Sequence, residues 1–452
     1  MGQQHSRRLA AAVIALSALA CSACFSSEVR TRRVALSRGQ DPTPEVQATT
    51  VAATRPDAVG TPGAGNSHKG RGATTGVQGA TDVGVTANTI KLGWVGDFSG
   101  QARAIFGVSL DTINAFIADL NSRGGIYGRH IQLVYYSASS SSPDQVLAVT
   151  RRLVEQDKVF AMIGLTGIGN ASASAVPYVS EKRVPCVGCR SNGITNISMF
   201  PTAFDGQITP PDHGAVIGAF VAKRLNKKRM AIGYCESALS QWMRDSLGPA
   251  FKKHGGTVVD QRSIGGCDQT LMDSTVAAWY GIYPRPDVIA VIDPIGAAEG
   301  AAAARRMGWD VQFVATGGWF QVVLDIGGSQ TEGMIGTSEG YGPPGYDTPE
   351  MTHFRQVLKS YCPRRGVDLT SLNTWDWMTI FEEGARRAGP GLTRTGLIDA
   401  LNNMREWSNG IGAPLTFTPE RHMGRSATGF YRIHDEAFQR ATPENFFSPE
   451  DF

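Results

Sequence analysis

The 452-residue sequence lacks a charge excess of either sign. Forty-three lysines and arginines face 40 aspartates and glutamates, a net charge of +3. That balance excludes an extended nucleic-acid surface, which needs a basic excess. Past residue 20 no run is long and apolar enough to span a bilayer. The eight histidines include no H-E-x-x-H spacing. A single C-x-x-C, Cys186 to Cys189, has no second copy to complete a four-thiolate zinc site. A thioredoxin-like C-x-x-C opens a helix. Here Cys186 falls inside an expected strand and Cys189 just beyond it, so the pair reads as a core thiol and a loop thiol. "GIGNAS" (Gly167 to Ser172) follows a strand but lacks the P-loop lysine. No catalytic residues, cofactor motif or metal ligands are therefore expected.

Aromatic residues are nearly absent from residues 25–86, which are rich in Thr, Gly, Ala, Pro, Ser and Val. Such a stretch cannot bury enough apolar surface to offset its ordering entropy, so it reads as a tether. Ahead of it, His5, Arg7 and Arg8 precede an apolar run, Leu9 to Ala20, of signal-peptide length. The run ends in "SALAC", which has the form of a bacterial lipobox with Cys21 as the lipid-modified residue. Cys21 and Cys24 belong to this export region. Five of the seven cysteines remain in the body, an odd number that cannot all pair within one chain. Export permits disulfides.

From Thr89 strands alternate with helices. Ile90 to Val95 reads as a buried strand. Phe106, Leu110, Ile113, Ile117 and Leu120 then line one helix face. Gly124 stops that helix, and Gly125 and Gly128 turn the chain into a strand, Ile131 to Tyr136. Arg129 is expected to pack or pair at the surface. Ser142-Pro143 caps the next helix. Val159 to Ile163 and Val184 to Val187 continue the strands. The order restarts with a helix at Gly214 to Leu225 and a strand at Arg229 to Tyr234. "KKHGGTVVDQRSI" (Lys252 to Ile264) echoes "NSRGGIYGRHIQLVYY" (Asn121 to Tyr136) at the same place in its unit. Further strands follow at Val288 to Ile292 and Gln312 to Ala315. The fold class is α/β, with two similar lobes built on parallel sheets of Rossmann-like, flavodoxin-like type.

"IKLGWVGDFSG", "INAFIADLNSRGGIYGRHIQLVYYS", "LVEQDKVFAMIG", "PDVIAVI", "ARRMGWDVQFVATGG" and "GLIDALNNM" occur in this order between about Thr89 and Arg432. Together they resemble type I periplasmic binding proteins, in particular the leucine/isoleucine/valine and amide binders of ABC importers. The resemblance implies two lobes hinged around a central cleft. The expected organisation is a signal peptide (1–20) and a lipid-anchored tether (21–86), followed by two lobes. Lobe 1 spans 89–208, with 334–402 returning to it. Lobe 2 spans 209–333, with 403–440 returning to it.

Ligands in open α/β sheets bind beyond the carboxyl ends of the strands. The first-lobe loops there run from Asp97 to Gln101, Leu165 to Gly167 and Gly188 to Asn192. Those of the second lobe run from Cys235 to Ser237, Asp293 to Gly296 and Thr316 to Phe320. The candidate contacts are Ser99, Gln101, Thr166, Gly167, Ser191 and Asn192 facing Glu236, Asp293, Trp319 and Phe320. Amino-acid binders of the family often carry an acidic residue where this chain has Gly317, and an aromatic one where it has Leu239. The resemblance therefore does not carry a standard α-amino acid across to this chain. Trp319, Phe320 and Tyr341 point instead to a flatter or more apolar solute, although Trp319 and Phe320 can equally begin a helix and pack inward. In a flavodoxin-like order the strands ending before Cys235 and Cys267 are neighbours, and a Cys235–Cys267 disulfide is expected.

The expected function is capture of a small polar or amphipathic, amino-acid- or amide-like solute. Delivery would be to an ABC permease, from the outer face of the bacterial cytoplasmic membrane. The alternatives are a ligand-sensing domain that signals to a membrane partner and a secreted α/β enzyme. No cofactor, metal or nucleic acid is expected.

Overall fold

The computed structural model describes residues 49–50, 79–98, 102–165, 171–189, 196–266, 269–317, 321–363 and 366–452. Two seven-stranded sheets organise it. The first runs Thr49–Thr50, His130–Ser137, Thr89–Gly96, Ala161–Ile163, Cys186–Val187, Ala203–Ile208, Met423–Arg425. All its pairings are parallel except the two-residue edge strand Thr49–Thr50, which pairs with Tyr135 and Val134. The second runs Ala437–Arg440, Phe430–His434, Ile335–Thr337, Gln312–Ala315, Val288–Ile292, Arg229–Tyr234, Thr257–Ser263. Its last two strands in sequence close it as an antiparallel hairpin. Counted from Thr89–Gly96 in the first sheet and from Arg229–Tyr234 in the second, the second strand lies on one side of the first, and the third, fourth and fifth follow in order on its other side. This is the flavodoxin-like order.

The glycines of residues 121–136 act as read. The helix Ala102–Ser122 ends, and Gly124, Gly125 and Gly128 all have positive φ. A Cβ on Gly125 would lie 2.0 Å from the Arg129 carbonyl oxygen, so no other residue fits this return. Asn121 then ties the helix end to the new strand through both its amide atoms and the Ile131 backbone. Arg129, however, is fully buried rather than at the surface. Its guanidinium donates to the carbonyls of Thr86 and Pro390, each at 2.8 Å, which compensates part of the cost of burying it.

Three boundaries differ from expectation. Residues 82–88 already belong to the body, ahead of the expected start at 89. Val85 is buried, and the Asp82 carboxylate accepts from the Arg394 backbone amide at 2.6 Å. The chain returns to the first lobe after residue 337, not 334, because Ile335–Thr337 is a strand of the second sheet. Residues 403–425 belong to the first lobe. Met404, Ile411, Leu415 and Phe417 fill its core, and Met423–Arg425 pairs with Ala203–Ile208. The second-lobe helix expected from Gly214 starts at Pro210, behind the cap Thr209, where Pro at the first helical position favours it.

The chain thus passes between lobes three times, near 208–210, 337–341 and 425–430. The three passages bond to one another. Ile208 N donates to Glu339 O at 3.4 Å, Ser338 N to Gly429 O at 3.0 Å, and Gly340 N to the Thr428 hydroxyl at 3.2 Å. Beneath them Arg425, fully buried, forms a bidentate pair with the equally buried Asp376 at 2.8 and 2.9 Å. The same guanidinium donates to the carbonyls of Gly206 and Ala413. Among the described residues no helix is long and apolar enough to cross a membrane.

Candidate functional site

A cavity of roughly 220 Å³ lies where the second lobe meets the passages. Its walls come from strand ends (Ile292, Asp293, Thr316), from the first turns of the helices Pro210–Lys223 and Ala238–Lys253, and from Gln207, Ile208 and Glu339. It therefore sits at the carboxyl edge of the second sheet, where an α/β lobe offers a ligand loops and helix starts. Three helix N-termini point here. Each is capped by its own residue, with Thr209, Ser237 and Asp293 accepting from the amides of Asp212, Ser240 and Gly296.

Asp293 is both cap and cavity wall. Burial pushes its carboxyl up to about 6, against the pull of the Gly296 amide hydrogen bond. Glu236, the other described second-lobe candidate, is not among the residues of this wall. It is exposed, and its carboxylate accepts from the Ser263 hydroxyl at 2.8 Å. Ser99, Gln101, Thr166, Gly167, Ser191, Asn192, Trp319 and Phe320 lie outside the described residues, as do Cys21 and Cys267. Tyr341 is not a cleft residue. It is fully buried in the first lobe, and its hydroxyl donates to Asn373 Oδ1 at 2.6 Å.

The first-lobe loops start from a shared seat. Gly164 and Gly188, both at positive φ, turn over the indole of Trp377, and a Cβ on either would lie 2.5 Å from that ring. Asp97, at the start of another loop, is buried and accepts from the Ser140 amide and hydroxyl, each at 2.7 Å. The turn through Gly188 also brings Cys186 and Cys189 together. They form a disulfide with Cα atoms 5.6 Å apart, which corrects their reading as separate thiols. Cys235 is disulfide-bonded as well, and its partner is outside the described residues.

Gln207, Glu339, Trp377 and His213, a cavity residue whose Nε2 lies 2.7 Å from the Thr337 hydroxyl, escaped the sequence reading. Glu339 lies on an interlobe passage, and Gln207 lies inside the first-lobe strand that leads into another, not in a loop beyond a strand end. The one signal for Glu339 is its place between a strand and a glycine in "TSEGYG". Among the described residues, Glu332, His434 and Asp435 could together approach a metal ion. They form an exposed ion-paired turn at the opposite edge of the second sheet, with both Glu332 oxygens already accepting hydrogen bonds.

A family model described as a periplasmic binding protein matches residues 89–437. The Leu/Ile/Val-binding protein of Escherichia coli K12 is 22% identical over 270 residues, which cover 58% of this chain and 69% of that one. An amino acid binding protein of Pseudomonas aeruginosa is 27% identical over 141 residues, 30% of this chain and 36% of that protein's length. The branched-chain amino acid binding protein LivJ of Streptococcus pneumoniae, solved with isoleucine, superposes with a TM-score of 0.67 at 18% identity, covering 80% of this chain and all of that one. A solute-binding protein of R. palustris, solved with 4-hydroxybenzoate, also superposes with a TM-score of 0.67, at 21% identity over 80% of this chain and 97% of that one.

Proposed function

The chain belongs to the periplasmic binding protein family, and from that premise we propose that it is a solute-binding lipoprotein of an ABC importer. It captures a small polar or amphipathic solute between its lobes and hands it to an import permease. The observation that carries this reading is the cavity between the second lobe and the interlobe passages. A solute there touches the parts that move when the lobes rotate, so it binds the closed form better and shifts the population toward it. Ser99, Gln101, Thr166, Gly167, Ser191 and Asn192 contribute from the first lobe, and Asp293, Trp319 and Phe320 from the second. Cys21 carries the lipid that holds the protein at the outer face of the cytoplasmic membrane. Cys267 is the partner of Cys235. The Glu236 amide donates to the Gly265 carbonyl at 3.0 Å, which supports this pairing by holding the start of the 265–270 hairpin beside Cys235.

Native mass spectrometry of protein purified without denaturation should reveal the retained solute, and small-angle scattering should show compaction when it is added back. A chain that retains nothing and compacts with no solute is not a binding protein of this kind. For the anchor, Cys21→Ala should release the protein from membranes. Unchanged retention rejects lipidation.

A further inference from the structure

We propose that the far end of the second lobe is a membrane-facing surface, where Lys223, Lys227, Lys228, Lys252 and Lys253 meet anionic phospholipid headgroups. The choice of partner rests on the lipid anchor proposed at Cys21.

The chain has only ten lysines against 33 arginines, and five of the ten fall in two short stretches, "KRLNKK" and "KK". Folding brings these stretches together. Lys223 ends the helix Pro210–Lys223, and Lys252 and Lys253 end the helix Ala238–Lys253 that packs beside it. The Lys228 carbonyl accepts from the Thr257 amide at 2.8 Å. Lys223 and Lys253 both act on His254, whose imidazole is pushed down by partial burial and by these two charges. A third segment joins the same edge. Asp287 accepts from the backbone amides of Lys228 and Arg229, each at 2.9 Å, and the Arg229 guanidinium donates to the Pro284 carbonyl at 3.0 Å. The neighbouring Tyr283 is 94% exposed.

Lysines at helix ends complement the helix dipole. That accounts for Lys223, Lys252 and Lys253, but not for Lys227 and Lys228, which lie past the helix end. Carboxylates do not account for them either. Among the described residues no ion pair involves any of the five. Glu444 pairs with Arg224, and Asp287 is taken by the two amides. Further along the edge, Asp310 pairs with Arg305 and Glu332 with His434. Lys223, Lys228, Lys252 and Lys253 are exposed and Lys227 is half-buried. Clustered ammonium groups without counter-ions, beside an exposed tyrosine, match the chemistry of a membrane interface. The charges meet headgroup phosphates and the ring sits at headgroup level.

Position supports the same partner. Ile208 and Ile292, the last residues of their strands, both line the cavity, so the carboxyl ends of the two sheets face it. The amino ends are then the two far ends of the molecule. The chain enters the first lobe at one of them, where Asp82 accepts from the Arg394 amide and the Gly84 carbonyl from the Lys91 amide. The lysines occupy the other. An anchor at one end and a basic surface at the other hold the molecule lengthwise along the membrane, with the cleft between its two attachments.

The test uses the mature chain with Cys21→Ala, so that no lipid contributes, sedimented with vesicles. The vesicles are phosphatidylcholine, with or without phosphatidylglycerol as about one lipid in three. The chain should sediment only with the anionic vesicles at about 10 mM salt, where the Debye length is about 30 Å, and should be released at about 1 M, where it is about 3 Å. Salt release keeps the anchor's own test separate, since membranes washed in high salt report the lipid alone. Lys228→Glu/Lys252→Glu/Lys253→Glu should weaken vesicle binding by about tenfold or more. Lys158→Glu/Lys182→Glu/Lys359→Glu, an equal charge change on exposed lysines of the first lobe, should leave it unchanged. Unaltered melting curves in both variants separate lost docking from lost folding. Failure to sediment, equal binding to neutral vesicles or equal loss in the two variants overturns the proposal. Tighter binding to polyglutamate than to the anionic vesicles also overturns it, in favour of an acidic protein partner. None of these outcomes touches the solute-binding reading, which stands or falls on retained solute.

Discussion

The first lobe meets the cleft with loops wrapped on an indole. The second meets it with capped helices and carboxylates. The strand order is the same, so the difference lies in what fills the edge of each sheet. In the first lobe Gly164 and Gly188 press on Trp377, and the Cys186–Cys189 bridge closes the turn beside them. That edge is fixed by packing and a covalent tie. In the second lobe Asp293 caps a helix at the cavity wall, while Glu339 reaches in beside Gly317 from an interlobe passage. That edge is set by charge and by hydrogen bonds. One strand order can thus carry two differently built sheet edges.

The sharpest way to break this contrast is at Arg425. Arg425→Ala leaves Asp376 buried without its partner and should cost about 3–5 kcal/mol. Denaturant unfolding should report the loss, and hydrogen exchange should place it in the first lobe with the second protected as before. Loss of protection in both lobes to the same degree would mean that they fold as one unit, erasing the distinction. The disulfides come next. Reopening the short Cys186–Cys189 loop with Cys186→Ser/Cys189→Ser should cost about 2 kcal/mol by loop entropy, read as a lower melting temperature. Peptide mapping without reductant should recover Cys235 joined to Cys267. Recovery of Cys235 joined to any other cysteine removes that pairing.

Asp293 gives the smallest effect. Burial raises its carboxyl to about 6 in the folded chain, above the value of about 3.9 usual for an unfolded aspartate. Between those values the folded state binds more protons than the unfolded state. Stability therefore falls as pH rises from about 4 to about 6, by about 1–2 kcal/mol after allowance for the group's partial exposure. Asp293→Asn keeps a cap and should flatten that slope in melts across pH 4 to 7. An unchanged slope would place the titration elsewhere.

Local signals in the sequence carried the architecture a long way. Ser142, Pro143 and the glycines after Ser122 mark helix ends by their own chemistry, and strand–helix alternation yields two parallel sheets. Charged residues inside the protein were not legible. Arg129 and Arg425 look like surface residues in sequence, and the carbonyls of Thr86, Pro390, Gly206 and Ala413, with the Asp376 carboxylate for Arg425, explain their burial. The site was half legible for a similar reason. Asp293 sits at a strand end, where a local rule finds it. Gln207 and Glu339 meet only because two distant segments cross between the lobes side by side.

The three passages also set an order of events in synthesis. The first sheet takes its last strand, Met423–Arg425, from near the end of the chain. Ribosomes add about 5–20 residues per second, so the strand Ala203–Ile208 waits tens of seconds for its neighbour. The second lobe's parallel strands, from Arg229 to Thr337, are all made during that wait. Asp376 lacks its ion-pair partner until Arg425 has been made. The lobe that begins first is the one completed late, and a chain cut short before residue 425 carries an unsealed first sheet.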